Sequence, residues 1–194
     1  PSFPIAVACD PAFNFVYEAN IRYLHHLGEV TYFSPLADTS LPDAGFVYLP
    51  GGYPELYLAA LSANRQMLQS IRRYVESGGK LYLCDEIRDK NGYVYPMAGV
   101  LHQSATMENM KLRLGYRTLL YNETRLKGHE FHYSRLVEQQ NPLPSCAVAY
   151  TAKGVETDTP LYHYKNVWAG YTHLYWADPV GNEWFTKFVI DGNI

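Results

Sequence analysis

The chain has 194 residues, 47% of them hydrophobic, and a formal net charge of −3. That length supports one domain with a substantial core, and the charge offers no electrostatic footprint for nucleic acid. No long uncharged apolar run reads as a membrane span and Pro1-Ser2-Phe3-Pro4 is unlike a signal peptide, so a cytoplasmic protein without a membrane partner is expected. Cys9, Cys84 and Cys146 are few, odd in number and far apart, which fits a reducing compartment and no disulfide framework. The chain begins with Pro rather than Met and reads as a cut-out domain or a processed chain.

Ile5-Ala6-Val7-Ala8-Cys9 is an uninterrupted apolar run, as in a strand buried on both faces. After Asp10-Pro11, residues 17–26 read as a helix with Ile21, Leu24 and His25 at helical spacing. Val30-Thr31-Tyr32-Phe33 and Phe46-Val47-Tyr48-Leu49 are the next strands, the latter ended by Pro50-Gly51-Gly52. Residues 56–61 and 64–76 look helical, with Met67, Leu68, Ile71 and Val75 forming an apolar stripe. Gly78-Gly79 stops that helix, and residues 80–84 are a fourth strand candidate. From about Tyr93 the chain changes to short β-rich pieces, at 112–120, 129–134, 147–151 and 162–167, before a last helix at 183–190. The β-α-β alternation predicts right-handed crossovers and a parallel sheet covered by helices, in one α/β domain over residues 1–194. Ligands are expected at the carboxyl ends of the strands.

Three short stretches carry the chemistry. Gly51-Gly52-Tyr53-Pro54-Glu55 follows a strand and precedes a helix, where glycines let backbone N–H groups approach developing negative charge. An ordinary strand-to-helix turn is the plain alternative, and Tyr53, Pro54 and Glu55 can serve only to shape it. His173 stands near the end of a strand, and imidazole is suited to proton transfer near neutral pH, although a lone histidine there is usually a hydrogen-bonded core residue. Gly128-His129-Glu130-Phe131-His132-Tyr133-Ser134 places His129 on one face of a strand, with Glu130 and His132 on the other. Its histidines and carboxylate lack a Cys or His partner at a recognised metal-ligand spacing, so no metal is expected. Arg117, in Leu114-Gly115-Tyr116-Arg117, could contact a carboxylate, but a solvated arginine is the preferred reading.

Together with Ala169-Gly170-Tyr171-Thr172-His173-Leu174-Tyr175-Trp176, these strings resemble the C-terminal glutamine amidotransferase domain of cobyrinic acid a,c-diamide synthase, over nearly the whole chain. The resemblance implies a flavodoxin-like open sheet, mostly parallel, with helices on both faces and β-rich additions in the C-terminal half. It implies that Gly51 and Gly52 form part of the oxyanion hole and that His173 is the catalytic histidine. Tyr175 stands where such synthases commonly carry a second His and other triad amidotransferases a Glu, so a dyad is the economical expectation. His129, Glu130 and His132 belong to a family signature without an assigned chemical step.

The same resemblance exposes a defect. These synthases carry the nucleophile as a strand ending in Ala-Glu-Cys-Gly-Gly, followed by a short helix. In Gly78-Gly79-Lys80-Leu81-Tyr82-Leu83-Cys84-Asp85-Glu86-Ile87 that elbow is missing between Tyr82 and Leu83. Cys84 is the alternative nucleophile, but Asp85 and Glu86 follow it, and negative charge raises a thiol's pKa. Cys9 and Cys146 read as structural. Either the natural polypeptide holds an elbow beyond these residues, or it has lost one; the first is preferred because the surrounding motifs are intact.

The implied function is release of ammonia from glutamine for ATP-dependent amidation of the a and c carboxylates of cobyrinate. ATP and magnesium belong to an N-terminal synthetase domain, which would also hold the corrin substrate. No Gly-x-x-x-x-Gly-Lys-Ser/Thr loop occurs here, so no cofactor is expected in this domain. Two rivals stand beside this reading: a catalytically dead docking or substrate-positioning module, and an amidotransferase for another tetrapyrrole.

Overall fold

The computed structural model describes residues 3–80, 86–101, 103–138 and 141–192. In chain order the elements are β1 (Phe3–Ala8), α1 (Glu18–Leu27), β2 (Gly28–Phe33), β3 (Phe46–Tyr48), α2 (Leu58–Ala63) and α3 (Arg65–Glu76). Short strands β4 (Glu86–Arg88), β5 (Val94–Pro96) and β6 (Ser104–Thr106) follow, then the long hairpin β7 (Arg113–Tyr121) and β8 (Thr124–His132). The chain ends with β9 (Arg135–Leu136), β10 (Val148–Thr151), β11 (Glu156–Thr157), β12 (Leu161–Tyr164), β13 (Val167–Gly170), β14 (Thr172–Leu174) and α4 (Pro179–Trp184).

β1 pairs in parallel with both β2 and β3, giving the order β2-β1-β3, and Lys80 forms a parallel bridge to Phe46 on the outer side of β3. The fourth strand expected at 80–84 therefore begins in the predicted place, while residues 81–85 lie outside the described residues, and with them Cys84 and the Tyr82–Leu83 junction. Period-two alternation sends the two faces of this sheet into two cores. Ala6, Ala8, Val47 and Leu49 pack with Met67, Ile71 and Val75 of α3. Ile5, Val7, Phe46 and Tyr48 pack with Leu24 of α1 and with Trp184, Phe185 and Val189 at the C-terminal end. Helices thus cover both faces, which is why β1 reads as one unbroken apolar run. Each fully buried side chain of the α3 stripe contributes about 1.5–3 kcal/mol relative to exposure.

The C-terminal additions are larger than the parallel sheet. β11-β10-β7-β8-β14 form a five-stranded antiparallel sheet whose Leu119, Tyr121, Leu126, Ala149 and Leu174 join the second core. Several element readings are refined. The strand expected at 162–167 is the hairpin of β12 and β13, turning at Lys165 with φ 53°. The last helix starts at Pro179 rather than 183, because the Asp178 side chain accepts the Gly181 N–H and Pro179 opens the first turn; it passes into a π-helical stretch over Phe185–Ile190. In α1 His25 is exposed, and the buried positions are Asn20 and Leu24. No helix of the described residues is long and apolar enough to cross a membrane.

Candidate active site

Three segments converge at the carboxyl end of β3. The first is the turn after β1, where Asp10 accepts the N–H groups of Ala12 and Phe13 through one oxygen, and the Ser34 hydroxyl and Leu36 N–H through the other. That carboxylate ties the ends of β1 and β2 together and holds residues 12–15 over the second segment, Gly51-Gly52. Phe15 donates its N–H to the Gly51 carbonyl at 2.9 Å, and Tyr53 donates to the Ala12 carbonyl at 3.0 Å. A Cβ on Gly52 would lie 2.3 Å from that carbonyl oxygen, so glycine is required for close approach of backbone to backbone.

The third segment is β14, which pairs with β8 so that His173 stands opposite His129, and Thr172 opposite Glu130. Asn20, completely buried in α1, donates to the Leu174 carbonyl at 2.8 Å and accepts the Trp176 N–H at 2.7 Å. This clamp sets the height of β14 against α1. Sequence patterning pointed away from Asn20, because a polar residue on a helix's buried face breaks the apolar stripe that the pattern searches for.

His173 is consequently turned onto the glycines: a Cβ at Gly51 would lie 1.8 Å from its Cε1 atom. The Phe15 ring packs against it with centroids 4.5 Å apart. Among the described residues neither ring nitrogen has a hydrogen-bond partner, and the contact that orients the imidazole is the packing of Phe15. Burial, reinforced by the charges of His129 and His132, lowers its pKa to about 4. The ring is therefore neutral near pH 7 and free to accept a proton.

The linkage consequence has a definite sign. The unfolded histidine, near 6.5, binds a proton more readily than the folded one, so stability is complete above pH 6.5 and declines as pH falls toward 4. Between pH 7 and pH 5 this contributes about 2 kcal/mol of destabilisation. Urea unfolding of wild type and His173→Asn at both pH values checks it; equal pH dependence in the two proteins would refute it.

Glu130 and His132 lie across the sheet from His129, as the alternation predicted. Glu130 is 1% exposed and accepts from Arg117 Nε at 2.5 Å and Thr159 Oγ1 at 2.9 Å, with His132 Nε2 at 2.6 Å from its other oxygen. Burial pushes its carboxyl up, but the His132 and Thr159 hydrogen bonds and the Arg117 charge outweigh that and hold it below the usual range. Arg117 is thus not a solvated arginine: its side chain is 11% exposed and spent on Glu130. His132 in turn meets the Ser134 carbonyl at 2.7 Å through Nδ1 and stacks on Tyr171 with centroids 3.7 Å apart.

A cavity of about 210 Å³ joins these parts, lined by Gly51, Gly52, Glu55, His132, Tyr171 and His173 over a floor that includes Leu61 and Met67. His129 is not among its lining residues and instead packs edge-on to Tyr116. Cys9 is exposed, and Cys146 is half-buried with its thiol pushed up to about 11 by burial; neither lines the cavity. No group of three or more His, Cys, Asp or Glu among the described residues is arranged to hold a metal. Glu55 and Phe15 were not singled out from sequence as site residues, since only the fold shows what surrounds them.

Residues 4–180 match the CobB/CobQ-like glutamine amidotransferase domain. The chain is 37% identical over 185 residues to the hydrogenobyrinate a,c-diamide synthase of Pseudomonas aeruginosa, covering 88% of this chain and 41% of that protein. It is 37% identical over 204 residues to the cobyrinate a,c-diamide synthase of Clostridium acetobutylicum, covering 96% of this chain and 45% of the relative. The chain therefore spans less than half the length of these curated relatives. The second alignment is longer than the 194-residue chain itself, so that relative carries residues inside the matched span that this chain lacks. Among solved structures, PurLQS from Thermotoga maritima superposes with a TM-score of 0.62 at 16% identity, covering 99% of each chain. A glutamine amidotransferase from the same organism gives 0.57 at 12% identity, covering 97% of this chain and 83% of that one. The fold is that of the class I glutamine amidotransferases, and the chain belongs to the CobB/CobQ-like glutamine amidotransferase domain family.

Proposed function

We propose that this domain, taken as one unit over residues 1–194, binds glutamine and releases its amide nitrogen as ammonia for ATP-dependent amidation of the a and c carboxylates of cobyrinate. The observation that carries this reading is the neutral His173 imidazole packed on the Gly51 turn inside a cavity at the carboxyl end of β3. In the proposed reaction a thiol gives its proton to His173 and its sulfur attacks the glutamine amide carbon. Backbone N–H groups of the Gly51-Gly52 turn stabilise the oxyanion. The C–N bond breaks as His173 returns the proton to the departing nitrogen, leaving a thioester. Water, deprotonated by the same imidazole, then cleaves the thioester to glutamate and regenerates the thiol. The proposed nucleophile is the cysteine of an elbow that the natural polypeptide holds between Tyr82 and Leu83, and Cys84 is the alternative within this chain. ATP, magnesium and the corrin acceptor belong, on this reading, to a synthetase portion of the kind that makes up the unmatched length of the relatives.

A second reading has its own support: no cysteine among the described residues lines the cavity, as expected of a docking or substrate-positioning module. Treatment with a diazoketone analogue of glutamine separates the two. The expected result is one adduct, mapped by mass spectrometry to a cysteine in the stretch from Tyr82 to Cys84 and lost in His173→Ala. Absence of both adduct and glutamate release would refute the glutaminase in favour of the second reading. Another tetrapyrrole acceptor is distinguished by assaying amidation in the presence of the synthetase portion.

A further inference from the structure

Glu55 lines the same cavity as His132 and His173. It sits in the 3₁₀ turn Pro54–Leu56 that follows the glycine pair, and its side chain is half-buried. Among the described residues no lysine or arginine pairs with it: Arg117 is committed to Glu130, Arg113 to Asp158, Lys127 to Asp178 and Arg22 to Glu18. Among the described residues its compensation is its own backbone N–H and the charge of His132, and burial outweighs both, raising its pKa. Both His132 ring nitrogens already face protein acceptors, Ser134 O and Glu130 Oε1, so that ring has no donor left to offer Glu55. A carboxylate drawn out of water without a cation is costly unless something in the cavity completes it.

We propose that Glu55 is the ammonium subsite of the cavity, accepting a charge-assisted hydrogen bond from the α-ammonium of a free amino acid whose amide end points at His173. This deepens the glutamine reading of the site and rests on it. The subsite would select free glutamine over amides that lack an ammonium, since those leave Glu55 unpaired. The structural alternative is that Glu55 only closes its own turn. Glu55→Gln keeps that acceptor and the side-chain size while removing the charge.

Calorimetric titration of wild type and Glu55→Gln with L-glutamine and with glutaramate, which is glutamine without its ammonium, tests the proposal. Wild type is expected to bind glutamine about 10- to 100-fold more tightly than glutaramate. Glu55→Gln is expected to lose that factor for glutamine while keeping glutaramate affinity within about twofold, so the discrimination vanishes. The wild-type ratio is informative without any variant: equal affinities would overturn the subsite alone. A variant that binds glutamine like wild type, or that loses both ligands equally, also overturns it and leaves the site a glutamine site. Failure of wild type to bind glutamine removes the subsite together with the reading beneath it.

Discussion

Gly51→Ala is expected to displace the His173 imidazole while leaving the protein folded. The added Cβ would fall 1.8 Å from Cε1, whereas carbon atoms settle at about 3.5–4.0 Å, so the ring must move by roughly 2 Å. Backbone strain does not enter, because Gly51 is not among the glycines with positive φ. The Phe15 ring on the imidazole blocks a small adjustment, so the histidine must leave its present seat. Two readouts follow. By NMR titration the His173 pKa should rise from about 4 toward the ordinary value near 6.5, as the ring exchanges burial for water. On the proposed function, glutamine hydrolysis should fall by about 10²-fold or more, the scale associated with misplacing a catalytic group by an ångström. An unchanged titration would show that the ring and the glycine are not in the contact described.

Glu130→Ala is expected to lower stability by about 3–5 kcal/mol, because it strands the guanidinium of Arg117, 11% exposed, without its counter-charge and removes the partner of His132 Nε2. For a chain of this size that corresponds to a melting temperature lower by about 10 °C or more. The effect has a pH signature. Glu130 has a depressed carboxyl pKa in the folded state, so its contribution is complete above the unfolded value near 4.3 and fades as pH falls through the folded one. Wild type and variant should therefore converge in acid. Replacing Arg117 and Glu130 together by Met and Leu should cost less than Glu130→Ala alone, since no buried charge is then left unpaired. A loss under about 1 kcal/mol in Glu130→Ala would mean that the network is hydrated and dispensable.

The parallel sheet was legible because burial on both faces leaves an unbroken apolar run, as in Ile5–Ala8, and because Gly and Pro punctuate the strand ends. The apolar stripe of α3 was legible for the same reason, with Met67, Ile71 and Val75 buried at four-residue intervals. The C-terminal half was harder. Its pairing is non-local, with β10 inserted between β7 and β11 and β14 added to the far edge, and no local pattern encodes such order. The faces of the Gly128–Ser134 segment followed from period two alone. Its network did not, because Arg117, Thr159 and Tyr171 come from three other places in the chain.

By itself the amino-acid order determined the α/β class, the glycine pair after β3, the histidine near a strand end and the family strings around them, since these are matters of local spacing and residue type. Only the tertiary structure decided that His173 rests on Gly51, that Asn20 sets the height of β14, that Arg117 is buried against Glu130, and that Glu55 lines the cavity without a lysine or arginine partner among the described residues. Those facts depend on side chains that meet across the chain, 13 residues apart for Arg117 and Glu130, 29 for Glu130 and Thr159 and 156 for Asn20 and Trp176. Burial and electrostatics act through such contacts, so the charges of the site could not be assigned before the fold was known.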